Sequence, residues 1–263
     1  KIRPTVIELL LTFKNSRKMK FGLLGKQLGH SFSRGYFSNK FHAEHIDAIY
    51  ENFELGGIAS FPALCAANPD LKGMNVTVPY KEAVITYLDE LSENAAAVGA
   101  VNTILFENGR KIGHNTDIIG FRDALAAVYT GAPGGKALIL GTGGSAKAVR
   151  FVLAHFYEFD SILNVSRNPS GDAQVSYEIL KKQGLSQYRL IVNCTPVGMA
   201  PHDKERIHLP YATLDKGCLV YDLIYNPAET RLLAAAKKHG CPTANGMDML
   251  IRQADASWEI WMG

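Results

Sequence analysis

The chain has 263 residues, enough for one large domain or two of ordinary size. Its content of 47% hydrophobic and 20% charged residues is typical of a globular protein and argues against a disordered chain. The formal net charge is +3, but residues 1–18 carry five Lys or Arg and one Glu, so the remaining body has a net charge of −1. This balance argues against a nucleic-acid-binding surface.

Cysteine and histidine spacing predicts neither a disulfide framework nor a metal site. The four cysteines lie far apart in apolar contexts, at Cys65, Cys194, Cys218 and Cys241. No Cys or carboxylate cluster surrounds the closest histidine pair, His42 and His45. No apolar run approaches the length of a membrane span. We therefore expect buried thiols in a reducing cytoplasm and no membrane partner.

Residues 1–18 are predicted to be an N-terminal extension with an accessory helix. Val6, Leu9, Leu10 and Phe13 fall at helical spacing, and no small-residue cleavage site follows them. A signal peptide is therefore not expected.

Strand and helix patterns alternate over the next hundred residues. Strands are predicted over 20–25, 48–55 and 73–78. Helices are predicted over the segment from Tyr36 to Phe41, over 58–67, and from Pro79 onward. Asn108-Gly109 is a strong turn signal, so 101–106 and 110–113 form a predicted hairpin, and a helix follows over 117–129.

A glycine-rich turn over 141–146 is the most informative motif. The apolar run Leu138-Ile139-Leu140 reads as a buried strand and leads into Gly141-Thr142-Gly143-Gly144-Ser145-Ala146, after which helical spacing resumes. Gly141 permits a tight turn, Gly143 lets the backbone approach a pyrophosphate, and Ala146 is small enough for close packing. The helix start, with Gly144 and Ser145, then presents N–H groups to phosphates. The motif predicts nucleotide binding.

The end of the next strand indicates which nucleotide. The predicted strand over 161–165 ends in Ser166-Arg167-Asn168, with no Asp or Glu to accept from a ribose 2′-hydroxyl. A guanidinium at Arg167 suits a 2′-phosphate by charge and by its planar fork of donors. A solvated surface arginine is the alternative, and NADP is favoured over NAD.

The remaining elements complete an α/β architecture. Strands are predicted over 190–193, 218–222 and 242–244, and helices over 228–239 and 247–261. Alternating strands and helices predict parallel sheets covered on both faces. Because the nucleotide fold cannot begin before Lys136, we expect an N-terminal α/β substrate domain and a Rossmann-type NADP-binding domain with a cleft between them.

Neutral polar residues stand at several strand-to-helix junctions of the first domain, and taken singly each is typical of a helix cap or turn. They lie at Ser31 and Ser33 and in the segments 75–81, 101–103 and 115–117. Together they suit a hydroxylated ligand. Lys81 is the best candidate to move a hydroxyl proton, because in a first helical turn the dipole disfavours the cation. The dipole would lower the pKa of Lys81, whereas a nearby carboxylate such as Asp117 would raise it.

Across 19–263 these motifs resemble the shikimate dehydrogenase family. The ordered matches are His30-Ser31-Phe32-Ser33, 75–81 (N-V-T-V-P-Y-K), 99–103, 115–117, 141–146, 193–199, 221–225 and the segment from Asn245 to Ala254. The resemblance implies NADPH-dependent, reversible reduction of 3-dehydroshikimate to shikimate in the pathway to aromatic amino acids. It also implies a substrate-binding domain over 19–116, completed by a C-terminal helix over 246–263, and an NADP-binding domain over 117–245.

The resemblance assigns roles at the matching positions. Lys81 and Asp117 match the catalytic pair. Substrate-binding positions are Ser31, Ser33 and Tyr225 around the carboxylate, and Asn75, Thr77, Asn102 and Gln253 around the hydroxyls. Cofactor-binding positions are Gly141, Gly143, Gly144, Ser145, Ala146, Ser166, Arg167, Asn168, Thr195, Leu223 and Gly246. No metal is implied, and the protein is expected to act as a cytoplasmic monomer or homodimer.

Two departures from the family pattern leave alternatives open. Arg34 stands where the family usually has proline, and Gly171 stands where a second cofactor arginine is common. The alternatives are a quinate/shikimate dehydrogenase using NAD or NADP, a non-catalytic NADP-binding sensor, and a reductase of another substrate such as methylene-tetrahydrofolate. The paired serines and the missing acid near Ser166 argue against the first, and retention of Lys81 and Asp117 against the second. The neutral hydroxyl lining argues against a large pterin.

Overall fold

The computed structural model describes residues 18–29, 31–131 and 133–263. The helix predicted within 1–18 and the motif residue His30 therefore lie outside the described residues, apart from Lys18. The described strands are β1 (Met19–Gly25), β2 (Ala48–Glu54), β3 (Leu71–Val76), β4 (Glu90–Leu91), β5 (Thr103–Glu107), β6 (Arg110–His114), β7 (Lys136–Leu140), β8 (Ser161–Val165), β9 (Gln174–Val175), β10 (Tyr188–Asn193), β11 (Leu219–Asp222) and β12 (Thr243–Ala244). The α-helices are α1 (Phe32–Ala43), α2 (Phe61–Ala67), α3 (Glu93–Val98), α4 (Asp117–Ala126), α5 (Gly144–Phe156), α6 (Tyr177–Gln183), α7 (Arg231–Lys238) and α8 (Met247–Met262).

The first sheet is mixed, with strand order β2-β1-β3-β5-β6-β4. β1 pairs in parallel with β2 and β3, whereas β3 and β5 are antiparallel. The parallel pairing predicted from the alternation of strands and helices is thus confirmed for β1 with its neighbours and fails between β3 and β5. The predicted hairpin is confirmed, since Asn108 and Gly109 turn the chain with φ of 51° and 77°, the left-handed conformation that a two-residue hairpin loop requires.

The second sheet has the order β12-β11-β10-β7-β8-β9, and its assigned pairs are parallel. This is the doubly wound order of a dinucleotide-binding fold, with the change of direction between β7 and β10. Ala137 and Ile139 belong to the core on one face of the sheet, and Leu138 and Leu140 to the core on the other. The apolar run in β7 thus reflects burial on both faces, as the sequence predicted.

The chain divides into two compact units. One contains the described residues up to Glu90 together with Thr103–Gly113, and the other contains Leu91–Asn102 and His114–Gly263. In the second unit α8 packs closely on α4, where a Cβ on Gly120 would lie 2.7 Å from the carbonyl oxygen of Met249. By its packing α8 belongs to the second unit, whereas the sequence assigned 246–263 to the substrate-binding domain. The functional boundaries stay a prediction, because compactness does not identify the residues that bind substrate.

The segment after Pro79 differs from its predicted helix. Lys81 lies in a turn, and the short 3-10 helix Ala83–Tyr87 begins only after it. Lys81 therefore does not lie in the first turn of a helix, and that part of the prediction is wrong. Elsewhere the described part of the chain holds no helix whose length and apolar content would let it cross a bilayer.

Candidate active site

The glycine-rich turn joins β7 to α5 as predicted. Gly141 has φ of +111°, in the region that favours glycine, and Gly143 occupies the position just before the helix. A Cβ on Gly143 would meet no atom within 4 Å, so the space in front of this residue is open. The first turn of α5 carries no acidic side chain. A 13-residue helix that begins in this way suits a phosphate, because its first N–H groups have no intrahelical partner.

Asn164 fixes the glycine turn, and the sequence had not predicted a role for it. This residue of β8 is 7% exposed, and its Nδ2 donates to the carbonyl oxygen of Gly141 at 2.8 Å. Its Oδ1 accepts from Arg150 Nη1 at 3.0 Å, which sets the orientation of the amide. The sequence did carry a signal for this role, because Asn164 is a polar residue within an apolar strand. Buried polar groups are nearly always hydrogen-bonded, so such a residue is expected to hold a neighbouring segment.

The end of β8 presents Arg167 without a carboxylate beside it. Ser166 Oγ accepts from the N–H of Asn168 at 3.2 Å and shapes the loop. Arg167 is exposed and makes no ion pair with the described residues. Burial raises the pKa of the Tyr177 hydroxyl, and the positive charge of Arg167 partly offsets that rise. These residues fit a cofactor with a 2′-phosphate, because Arg167 offers a cation and positions 166–168, directly after β8, carry no acid that would repel the phosphate.

Three more predicted cofactor positions lie together beyond the ends of β10 and β11. The N–H of Thr195 donates to Asn193 Oδ1 at 2.9 Å, and the N–H of Leu223 donates to the Asn193 carbonyl oxygen at 3.0 Å. Gly246 packs against Leu223, and its N–H donates to the carbonyl oxygen of Ile224 at 3.1 Å. Thr195, Leu223 and Gly246 are thus positioned by one set of contacts.

A buried polar cluster in the second unit contains three predicted site residues. Asn102 Nδ2 lies 2.9 Å from Asp117 Oδ1 and 3.3 Å from Gln253 Oε1. Asn102 Oδ1 accepts from the N–H of Thr116 at 2.7 Å, which fixes the amide group. Ser257 Oγ lies 3.1 Å from Thr116 Oγ1 and joins α8 to the same cluster. Residues from α4, α8 and the segment before β5 therefore meet around Asp117, which is 4% exposed.

A second polar cluster lies in the first unit. Tyr50 Oη donates to Asn75 Oδ1 at 2.8 Å, and Asn75 Nδ2 donates to Thr103 Oγ1 at 3.2 Å. Burial raises the pKa of Tyr50 well above its usual value, and a hydrogen bond with Ser33 partly offsets this. Ser31 Oγ is buried and has no hydrogen-bond partner among the described residues. The sequence predicted Ser31, Ser33 and Asn75 but missed Tyr50, because an aromatic residue in a strand is typical of core packing.

The remaining predicted site residues are partly accessible. Thr77 follows β3 and is half-buried, and its N–H donates to the carbonyl oxygen of Leu24 at 2.8 Å. Lys81 is half-buried in the turn that follows. Tyr225 is half-buried in the segment after β11. Each can therefore meet a ligand without unfolding its surroundings.

Comparison with known proteins identifies the family. Residues 23–104 match the family model described as shikimate dehydrogenase substrate binding domain. A Methanococcus maripaludis protein named shikimate dehydrogenase (NADP(+)) is 36% identical over 95% of this chain and 94% of its own length.

Solved structures agree over nearly the whole chain. A shikimate dehydrogenase crystallised in complex with NADP+ matches with a TM-score of 0.83 and 32% identity, over 95% of this chain and 91% of that one. A quinate dehydrogenase from Corynebacterium glutamicum in complex with NAD matches with a TM-score of 0.81 and 29% identity, over 94% of each chain. The fold and the level of identity together show that the chain belongs to the shikimate dehydrogenase family.

Proposed function

We propose that this protein catalyses the NADPH-dependent, reversible reduction of 3-dehydroshikimate to shikimate in aromatic amino acid biosynthesis. The cluster in which Asn102 joins Asp117 to Gln253 carries this proposal. These three residues, up to 151 positions apart in sequence, bring together the amide and carboxylate groups that bind hydroxyl groups. We further propose that the protein binds its small-molecule substrate in the cytoplasm. It acts as a monomer or homodimer and has no nucleic-acid partner.

The cofactor is NADP, held by the residues that follow the strands of the second sheet. The start of α5, with Gly143, Gly144, Ser145 and Ala146, holds the pyrophosphate, and Arg167 with Ser166 and Asn168 holds the 2′-phosphate. Thr195, Leu223 and Gly246 hold the nicotinamide end. Bound NADPH supplies the hydride.

Proton movement is assigned to Lys81 and Asp117 as the catalytic pair. Lys81 Nζ delivers a proton to the substrate carbonyl oxygen during reduction and takes it back from the hydroxyl during oxidation. Asp117, whose carboxylate faces Asn102 Nδ2 at 2.9 Å, binds the reacting hydroxyl. A proton donor at the oxygen is required because an alkoxide would otherwise develop there.

Two sets of residues bind the rest of the substrate, one its carboxylate and the other its ring hydroxyls. Ser31, Ser33 and Tyr225 supply hydroxyl donors to the substrate carboxylate. Ser31 Oγ supports this assignment, because it is buried and has no hydrogen-bond partner among the described residues. Asn75, Thr77, Asn102 and Gln253 offer both donors and acceptors to the ring hydroxyls.

The main alternative is a quinate/shikimate dehydrogenase that uses NAD. Its support is the similarity to the quinate dehydrogenase, whose TM-score of 0.81 is close to that of the shikimate dehydrogenase. The exposed Arg167 and the absence of an acid at the end of β8 favour NADP and therefore the first proposal.

One assay separates these functions. Shikimate and quinate are each oxidised with NADP+ and with NAD+, and kcat/KM is compared for the four pairs. We expect the highest value for shikimate with NADP+. Equal or higher values for quinate with NAD+ would support the alternative, and NADPH binding without turnover of either substrate would identify a sensor.

A further inference from the structure

Asn193 and Asp222, the last residues of β10 and β11, lie side by side in register and are fully buried. Asn193 Nδ2 donates to Asp222 Oδ1 at 2.9 Å. The N–H of Ile224 also donates to Asp222 Oδ1, at 3.1 Å, and Thr230 Oγ1 donates to Asp222 Oδ2 at 2.6 Å. Three donors therefore converge on one buried carboxyl group where the two strands end.

The arrangement fits the ionised form of Asp222. Thr230 Oγ1 accepts from the N–H of Leu233 at 3.3 Å, so its own proton points to Asp222. The Asn193 amide, the Ile224 N–H and the Thr230 hydroxyl all donate to Asp222 in this arrangement, and a carboxylate accepts all three. Burial acts in the other direction and raises the pKa of this carboxyl, and no Lys or Arg of the described chain forms an ion pair with it. A buried charge without a cation is costly, so fold stability alone does not explain it.

The carboxyl group sets the orientation of the Asn193 amide. Because Asp222 accepts from Nδ2, the Oδ1 atom of Asn193 faces the opposite way. It accepts from the N–H of Thr195 at 2.9 Å and from Thr195 Oγ1 at 2.7 Å. Rotation of the amide would place its NH2 group against these donors and its oxygen against the carboxylate. The position of Thr195 therefore depends on Asp222.

A second set of contacts runs from Asp222 to Gly246. Ile224 donates its N–H to Asp222 and accepts from the N–H of Gly246 at 3.1 Å. Gly246 in turn packs against the carbonyl oxygen of Leu223. The loops that carry Leu223 and Gly246 are thus attached to the same carboxyl group as Thr195.

We propose that Asp222 is a positioning residue for NADP, which acts through Asn193 and Ile224 to hold Thr195, Leu223 and Gly246 in the geometry that binds the nicotinamide end. This inference rests on the proposed function, because it assigns the three held residues to the cofactor. Asp222 itself is fully buried, so it acts only through its neighbours.

The test exchanges the two side chains. Asn193→Asp places two carboxyl groups together and turns the amide donor into an acceptor. Asp222→Asn cannot satisfy all three donors. The double variant restores a donor–acceptor pair and returns an oxygen to Thr195, although it loses the bond from Ile224. The readouts are the Kd of NADPH by fluorescence titration, the KM values for NADP+ and shikimate, and the unfolding midpoint.

We expect Asn193→Asp to raise the Kd of NADPH and the KM for NADP+ by about tenfold or more, with a much smaller change in the KM for shikimate. The double variant should recover most of this loss. If Asn193→Asp lowers the unfolding midpoint but binds NADPH like the wild type, the positioning role is wrong. Failure of the wild-type protein to bind NADPH would instead contradict the proposed function.

A milder pair covers the case in which the exchanged variants do not fold. Thr230→Val removes the donor to Asp222 Oδ2, and Thr230→Ser retains it. The valine variant should raise the KM for NADP+ several-fold while the serine variant stays close to the wild type. Ser92→Ala, which removes a similar helix cap at α3, is the matched control and should leave this KM unchanged. Equal KM values for the valine and serine variants would overturn the inference.

Discussion

Gly246 and Leu223 approach so closely that a side chain at position 246 has no space. A Cβ on Gly246 would overlap the carbonyl oxygen of Leu223, which is a backbone atom and cannot turn away. The φ angle of Gly246 is −79°, so the glycine is required by space rather than by an unusual backbone conformation. The start of α8 and the end of β11 are therefore fixed against each other.

Gly246→Ala is expected to displace this contact and to lower stability by about 1–3 kcal/mol, the usual cost of overpacking. The affinity for NADPH should fall as well, because Leu223 moves. Denaturant unfolding and NADPH titration measure the two effects. Gly56→Ala is the matched control, since a Cβ there meets nothing within 4 Å. Normal stability and normal cofactor affinity in Gly246→Ala would contradict the assignment.

Gly143→Ala is expected to separate folding from cofactor binding. Its Cβ would meet no atom within 4 Å, and the φ of −76° suits alanine, so the variant should fold and lose at most about 1 kcal/mol, the cost of alanine at a helix N-cap. The added methyl group would nevertheless occupy the space where a pyrophosphate approaches the backbone. We expect a clear rise in the Kd of NADPH while the unfolding midpoint stays within a few degrees of the wild-type value. Unchanged NADPH affinity would place the pyrophosphate elsewhere.

Arg167→Gln is expected to weaken NADPH binding far more than NADH binding. A charged hydrogen bond to a phosphate contributes about 1.5–3 kcal/mol, which corresponds to roughly a 10- to 150-fold rise in Kd. NADH lacks the 2′-phosphate and should be nearly unaffected. Lys182→Gln removes an exposed cation from the nearby α6 and serves as the control. Equal weakening of both cofactors would argue against recognition of the 2′-phosphate.

Lys81→Met is expected to lower kcat by about 10²- to 10⁴-fold, because the stem remains but the proton carrier is lost. Cofactor affinity should remain close to the wild-type value. Lys72→Met, at an exposed position of β3, controls for loss of a lysine from the same unit. Unchanged turnover in Lys81→Met would remove Lys81 from the catalytic pair.

Alkaline pH is expected to destabilise the protein in part through Tyr50. Burial raises the pKa of Tyr50 well above 10.0, so above pH 10 the unfolded chain loses a proton that the folded chain keeps. The stabilisation is complete below that pH and declines as the pH rises, by up to about 1.4 kcal/mol per pH unit. Tyr50→Phe should show a smaller decline in unfolding free energy. Identical slopes would show that Tyr50 does not titrate in this way.

Local patterns predicted the framework of the second sheet well. The apolar run of β7, the glycine turn and the start of α5 are determined by residues adjacent in sequence, and the structure has them where expected. The hairpin at Asn108 and Gly109 was predictable for the same reason. Patterns of this kind depend on backbone preferences that a short segment carries by itself.

Contacts between distant segments were not predictable. Asp222 meets Asn193 only because β10 and β11 pair in one particular register, and no local pattern determines that register. The helix expected around Lys81 was wrong because Pro79 is also compatible with a turn, which the chain adopts before Ala83–Tyr87. The antiparallel pairing of β3 and β5 likewise became visible only in the assembled sheet.

The most direct measurement of the central claim follows 3-dehydroshikimate and NADPH incubated with the purified protein, with the product identified chemically. We predict that NADPH is oxidised in a one-to-one ratio with the formation of shikimate, and that NADH supports a much lower rate. Bound NADPH that stays reduced in the presence of 3-dehydroshikimate would contradict the proposed function.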